Sequence, residues 1–120
     1  MVSFDNPRDI DLFQVHASFC SIFSSPVRLK IMWLLGEGER TVGELAEELN
    51  LAIPNISQHL KVMRSHGAVR SRREGRTVHY RLANRKFLEG ASLIRVGLME
   101  EFQKMWALGN TVNSSDDTSG

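Results

Sequence analysis

The chain has 120 residues, 42% of them apolar and 24% charged, with a formal net charge of +1 and a single cysteine. This length and composition fit one folded domain and give no support to a disordered, collagen-like or disulfide-framework chain. No apolar run approaches the roughly 18 residues of a membrane span, the opening MVSFDNPRDIDLF carries acid where a secretion signal carries base, and Cys20 alone closes no intramolecular disulfide, so the expected compartment is the cytoplasm, with no membrane partner.

Residues 9–23 contain neither Pro nor Gly and place Leu12, Val15, Phe19 and Phe23 beside a second apolar line of Phe13, Ala17 and Cys20, a band too wide for one packing partner. A helix buried on two sides is expected. Ser25-Pro26 supplies a capping hydroxyl and a proline at the first helical position, which predicts a second helix ending at Gly36. Thr41 and Glu44 have capping-box spacing, and Val42, Leu45, Ala46 and Leu49 follow on one face, so a short third helix is expected. Asn50-Leu51-Ala52 then forms a tight break, because asparagine tolerates the left-handed conformation of a helix end. Pro54 opens a fourth helix, read as 53–66, whose buried stripe is Ile53, Ile56, Leu60 and Met63. Asn55, Gln58 and Lys61 lie opposite that stripe, with Ser57 and His59 on its flanks.

After Gly67 the pattern changes period. Val78, Tyr80 and Leu82 alternate with Thr77, His79 and Arg81, a strand signature paired with 68–73 across Glu74-Gly75, making a hairpin wing over 68–82. The final helix, about 86–107, carries Phe87, Ala91, Ile94, Leu98, Phe102 and Met105 on one stripe, widened by Leu88, Met99 and Trp106. One small domain lacks the internal surface to cover both terminal bands, so a homodimer built from the terminal helices is expected. Residues 1–108 then form a single domain and 109–120 a disordered tail. The expected fold class is mainly α with a small β-hairpin wing, a winged helix-turn-helix.

Charge is distributed unevenly. Residues 1–52 balance at −4 and residues 82–120 at −1, whereas residues 53–81 hold seven Lys/Arg against Glu74 alone. A basic block on a nearly neutral chain marks a polyanion-binding face. The outer face of the fourth helix is free of bulky apolar side chains, so from its entry at Pro54 the groups of Asn55, Ser57, Gln58 and His59 can meet base edges in a major groove. Lys61 and the wing arginines Arg72, Arg73 and Arg76 would hold phosphates.

The segments SSPVRLKIMWLL, TVGELAEELNLAIPNISQHLKVMRSHGAV and RSRREGRTVHYRL, in this order and spacing, resemble the core of the ArsR/SmtB family of prokaryotic transcriptional repressors over about residues 24–82. The resemblance implies an obligate dimer that represses a near-palindromic operator in double-stranded DNA until an inducer releases it. Its sensor positions do not match here. Thr41-Val42-Gly43 stands where arsenical sensors carry paired cysteines, residues 84–107 lack the histidines of zinc sensors, and the two cysteines of redox sensors are reduced to Cys20. His16 and Cys20, at i and i+4, are a two-ligand candidate for a soft metal, although a cysteine among Phe19, Ile22 and Phe23 also reads as a small packing residue. No cofactor, no catalytic constellation and no particular inducer is indicated. The competing reading is a winged-helix interaction scaffold, or one that holds nucleic acid by charge alone without its own operator.

Overall fold

A computed structural model of the chain describes Arg8 and residues 10–119, with side chains for Arg8 and residues 11–109. The element order is α1 (Ile10–Cys20), a 3-10 turn (Ser21–Ser24), α2 (Pro26–Glu37), β1 (Arg40–Thr41), α3 (Val42–Leu49), α4 (Ile53–Ser65), β2 (Val69–Glu74), β3 (Thr77–Leu82) and α5 (Arg85–Ser119). The described residues fall into two compact units, within 1–88 and within 89–120.

In the first unit, Ile22 from the 3-10 turn, Ile31, Met32 and Leu35 from α2, Leu45 and Ala46 from α3, Ile56, Leu60 and Met63 from α4, and Ala68 and Val69 at the wing base form one core. Local chemistry sets the element ends. Ser25 Oγ accepts from the Arg28 N–H at 3.3 Å with Pro26 behind it, the expected start of α2. Thr41 and Glu44 exchange two bonds, the Thr41 N–H donating to Glu44 Oε1 at 2.9 Å and the Glu44 N–H donating to Thr41 Oγ1 at 3.1 Å. Asn50 takes φ 54° and ψ 48°, and the Leu51 N–H reaches back to the Ala46 carbonyl at 3.0 Å, closing α3. The α3–α4 turn is therefore the one expected.

Several expectations need correction. The first helix ends as α-helix at Cys20 and tightens into the 3-10 turn instead of running to residue 23, while residue 9 lies outside the described residues. Gly36 does not stop α2; it lies inside the helix, where a Cβ would collide with the Leu88 side chain, and the cap falls at Gly38, whose N–H donates to the Leu35 carbonyl. Ile53 is 55% exposed: it is the first residue of α4, and the packing that buries Ile56, Leu60 and Met63 does not extend to the helix end. The hairpin pairs Glu74 with Thr77, so its turn is Gly75-Arg76, with Gly75 supplying the positive φ of 63°. The wing also has a third strand, since β1 pairs with β3 through Arg40–Tyr80 and Thr41–His79, giving the antiparallel order β1-β3-β2. The helix expected to end near 107 runs to Ser119, through the stretch read as a disordered tail; no proline follows Pro54 to halt it, and Gly120 lies outside the described residues.

The inner face of α4 carries both fold and presentation, so Leu60→Ala, which empties a fully buried site, is expected to cost about 2–5 kcal/mol in urea unfolding. A loss below about 1 kcal/mol would mean that α4 is not held by this stripe.

Candidate nucleic-acid interface

With Ile56, Leu60 and Met63 buried, the opposite side of α4 faces outward. Pro54, Asn55, Ser57, Gln58 and Lys61 are all exposed. Apart from Pro54, these side chains are short or flexible and end in hydrogen-bonding groups, as groove-edge recognition requires.

His59 is placed differently. It is half-buried, and its Nδ1 accepts from Arg28 Nη1 at 3.5 Å. Arg28 also donates from Nε to the Ile22 carbonyl at 3.1 Å and from Nη2 to the Ser21 carbonyl at 3.3 Å. One guanidinium therefore joins the corner after α1 to the flank of α4. Burial, and next the neighbouring Arg28 charge, hold the His59 imidazole below its ordinary value near 6.5.

Between α4 and the hairpin lies an open cleft of about 500 Å³ lined by Ser57, Lys61, Arg64, Ser65 and Tyr80. It adjoins a second, about 520 Å³, lined by Arg64, Gly67, Val69, Arg70, Ser71 and Arg81. Neither lining contains a carboxylate. Arg64 belongs to both, and its Nη1 donates to Ser71 Oγ at 3.4 Å, bridging helix to wing. Arg70 and Arg81 are directly opposed across the strands, a like-charge pair that opposes folding and favours an anion. The candidate list read from the sequence omitted Arg64, Arg70 and Arg81; the signal was available, since once β2 and β3 are paired the alternation puts Arg70 and Arg81 on one face.

The wing arginines divide. Arg73 and Arg76 are exposed and form no ion pair among the described residues. Arg72 is held by carboxylates: Nε and Nη2 donate to Glu39 Oε1 and Oε2 at 3.1 and 3.0 Å, and Nη1 donates to Glu74 Oε2 at 2.9 Å. His16 and Cys20 both stand exposed on α1, so Cys20 is not a buried packing residue in the single chain. Among the described residues no group of three or more His, Cys, Asp or Glu side chains converges on a point that could hold a metal. No helix among them is long and apolar enough to cross a membrane.

Comparison with known proteins agrees with this architecture. Residues 23–72 match a helix-turn-helix domain model. The chain is 35% identical over 82 residues to the HTH-type transcriptional repressor SmtB of Mycobacterium tuberculosis, a match covering 68% of this chain and 61% of that one, less than two thirds of the relative's length. The crystal structure of Rv0081 from M. tuberculosis superposes with a TM-score of 0.70 at 32% identity, covering 83% of this chain and 97% of that one. The solution structure of the homodimeric winged helix-turn-helix domain of Mb0332 from Mycobacterium bovis, described as a possible ArsR-family regulator, gives a TM-score of 0.71 at 28% identity, covering 82% and 92%.

The burial of His59, with the Arg28 charge beside it, has a pH signature. His59 binds its proton less readily folded than unfolded, so its contribution to stability is complete above about 6.5 and declines as the pH falls from there toward its lower folded value. The carboxylates of Glu44, held low chiefly by the Thr41 N–H, and of Glu39 and Glu74, held low chiefly by Arg72, weaken stability only below their ordinary 4.5. Urea midpoints measured across roughly pH 5 to 8 are therefore expected to fall with acidification in the natural chain and to fall less in His59→Gln. Identical pH dependence in the two proteins would remove His59 as the titrating group.

Proposed function

This chain belongs to the ArsR/SmtB family of winged helix-turn-helix proteins, and from that premise we propose that it is a sequence-specific DNA-binding transcriptional repressor acting as a homodimer. The family is one of regulators, not enzymes. The observation that carries the reading is the carboxylate-free basic cleft between α4 and the wing, set beside the polar outer face of α4. In this reading α4 enters the major groove, where Asn55, Ser57 and Gln58 meet base edges near the entry at Pro54. Lys61, Arg64, Arg70, Arg81, Arg73 and Arg76 take phosphates on either side, and His59 acts from the flank through its contact with Arg28.

A dimer is supported by the homodimeric M. bovis relative and by the surface of the single chain. Phe13 and Val15 on α1, and Ile94, Leu98, Phe102 and Trp106 among others on α5, are large apolar residues left exposed. A second copy is the occupant that two such faces on one small chain require. Two-fold symmetry then calls for near-palindromic half-sites about one helical turn, roughly 34 Å, apart. Operation in the cytoplasm follows from this role. What releases the repressor is set by chemistry other than the paired-cysteine and histidine sites absent from this sequence.

The test is binding to a labelled duplex from upstream of the chain's own reading frame, compared with random duplex at matched salt. Equal affinity for the two would favour a charge-driven scaffold. Gln58→Ala and Ser57→Ala are expected to lose roughly 1–3 kcal/mol of discrimination per base contact, with random-duplex binding nearly unchanged. Arg73→Ala and Arg76→Ala should weaken both duplexes alike and make the salt slope shallower by about one unit per phosphate lost. A parallel fall in Gln58→Ala, or an unchanged slope in the arginine variants, would reassign those residues.

Assembly is tested separately. Ile94→Asp or Leu98→Asp places a carboxylate in the proposed apolar interface and should convert a dimer into a monomer in size-exclusion chromatography with light scattering, with loss of the affinity that needs two half-sites. A natural chain that is monomeric and folded at about micromolar concentration would overturn the dimer.

A further inference from the structure

We propose that Arg72 is a positioning residue that braces the wing against the α2–β1 corner, and that it does not take a phosphate. The inference deepens the DNA-binding reading and rests on it for its functional consequence. Strand β2 is an edge strand of the sheet, and only its base is anchored by the core: Val69 is buried, while Arg72, Arg73 and Glu74 are exposed. Beyond Ser71 the strand therefore has no apolar layer to fix its tilt, and an exposed edge held by ladder bonds alone frays readily.

Arg72 supplies the missing attachment. The register sets Arg72 opposite His79, and His79 opposite Thr41 on the far strand, so the side chains of Glu39, Thr41, His79, Arg72 and Glu74 share one face of the sheet. From this position the Arg72 guanidinium reaches across the central strand, grips both oxygens of Glu39 in a fork and closes on Glu74 with its third edge. Exposed ion pairs contribute little as a rule, but a bidentate arginine pair within a network is the exception.

Glu39 is a firm anchor. Its loop is tied down by Arg40, which donates to the carbonyls of Gly38 and Glu39 at 2.9 and 3.2 Å and pairs with Glu37 at 3.2 Å and Glu48 at 3.0 Å. Two carboxylates already surround the Arg72 charge, and His79 Nε2 stands 3.6 Å from Glu74. A phosphate approaching this guanidinium would have to compete with two carboxylates that already hold its N–H groups and offset its charge. The neighbouring arginines Arg70, Arg73, Arg76 and Arg81 carry no such carboxylate pair among the described residues, and the brace holds the hairpin that carries them at a fixed tilt.

The experiment uses the full chain with Arg72→Gln, Arg72→Lys, Glu39→Gln and the double variant Glu39→Gln/Arg72→Gln. Amide hydrogen exchange over 69–82 in the DNA-free protein is expected to be several-fold faster in every variant, and no faster in the double variant than in either glutamine single. Non-additivity of this kind identifies residues acting through one contact. Lysine should not rescue, because it lacks the planar fork. Against random duplex, Arg72→Gln should lower affinity about threefold or more while leaving the salt slope unchanged.

A slope shallower by about one unit in Arg72→Gln, with full affinity kept in Arg72→Lys, would show a phosphate contact and overturn the proposal. Unchanged exchange in Glu39→Gln would overturn it equally. If the natural chain binds no duplex, the DNA-binding reading fails, and hydrogen exchange still decides whether the brace exists.

Discussion

The docking of one side of α4 governs everything else. Ile56, Leu60 and Met63 are fully buried at spacings of four and three residues, so the helix cannot rotate without exposing one of them. That fixed rotation is what turns Asn55, Gln58 and Lys61 outward. The same constraint reaches the wing, because the Ala68 N–H donates to the Met63 carbonyl at 2.9 Å and the Ala83 N–H donates to the Ala68 carbonyl at 3.0 Å. Helix and hairpin are thus placed by one packing event, and the basic cleft between them is its geometric by-product.

On this frame the wing sheet carries two kinds of charge on a single face. Near its base, Arg70 and Arg81 stand opposed with no carboxylate lining the adjoining cleft, an arrangement that local stability disfavours. Nearer the tip, Arg72 has Glu39 and Glu74 around it and forms a closed network. Composition treats these arginines as equivalent; their surroundings make them opposites. An arginine that forms no ion pair keeps most of its attraction for a polyanion at some local cost in stability, whereas one already paired contributes to shape.

The elements legible in the sequence are those whose determinants lie within a few residues. The Thr41–Glu44 box, the Ser25-Pro26 start, the left-handed Asn50 and the alternation of 77–82 each specify structure from local chemistry, and together they disclosed the helix-turn-helix and its wing. What escaped depends on distant partners. Strand β1 is two residues long and exists only because β3 lies beside it. Gly36 reads as a stop signal until Leu88 is seen pressing on it. Ile53 fits the helical stripe, yet it is 55% exposed while Ile56, three residues on, is fully buried. Arg72 belongs to the charge run by sequence, and its partner Glu39 lies 33 residues earlier in the chain.

Apolar exposure is segregated as sharply as charge. Apart from Ile53, every large apolar side chain exposed among the described residues lies on α1 or α5, while the elements between them present polar and basic groups. Had those apolar residues been scattered, each would be the ordinary exposed leucine of any small protein and would call for no partner. Concentrated on two helices, they form surfaces that water penalises together and that an association can bury together. Under the proposed DNA-binding role the middle of the chain meets the opposite requirement, since an apolar side chain on the outer face of α4 would gain nothing from a hydrated groove edge and would desolvate its donors and acceptors. In the proposed reading, a sequence that keeps the two demands on separate elements would let association be tuned through Ile94 or Leu98 without touching Gln58, and groove contacts be tuned through Gln58 without loosening the core beneath it.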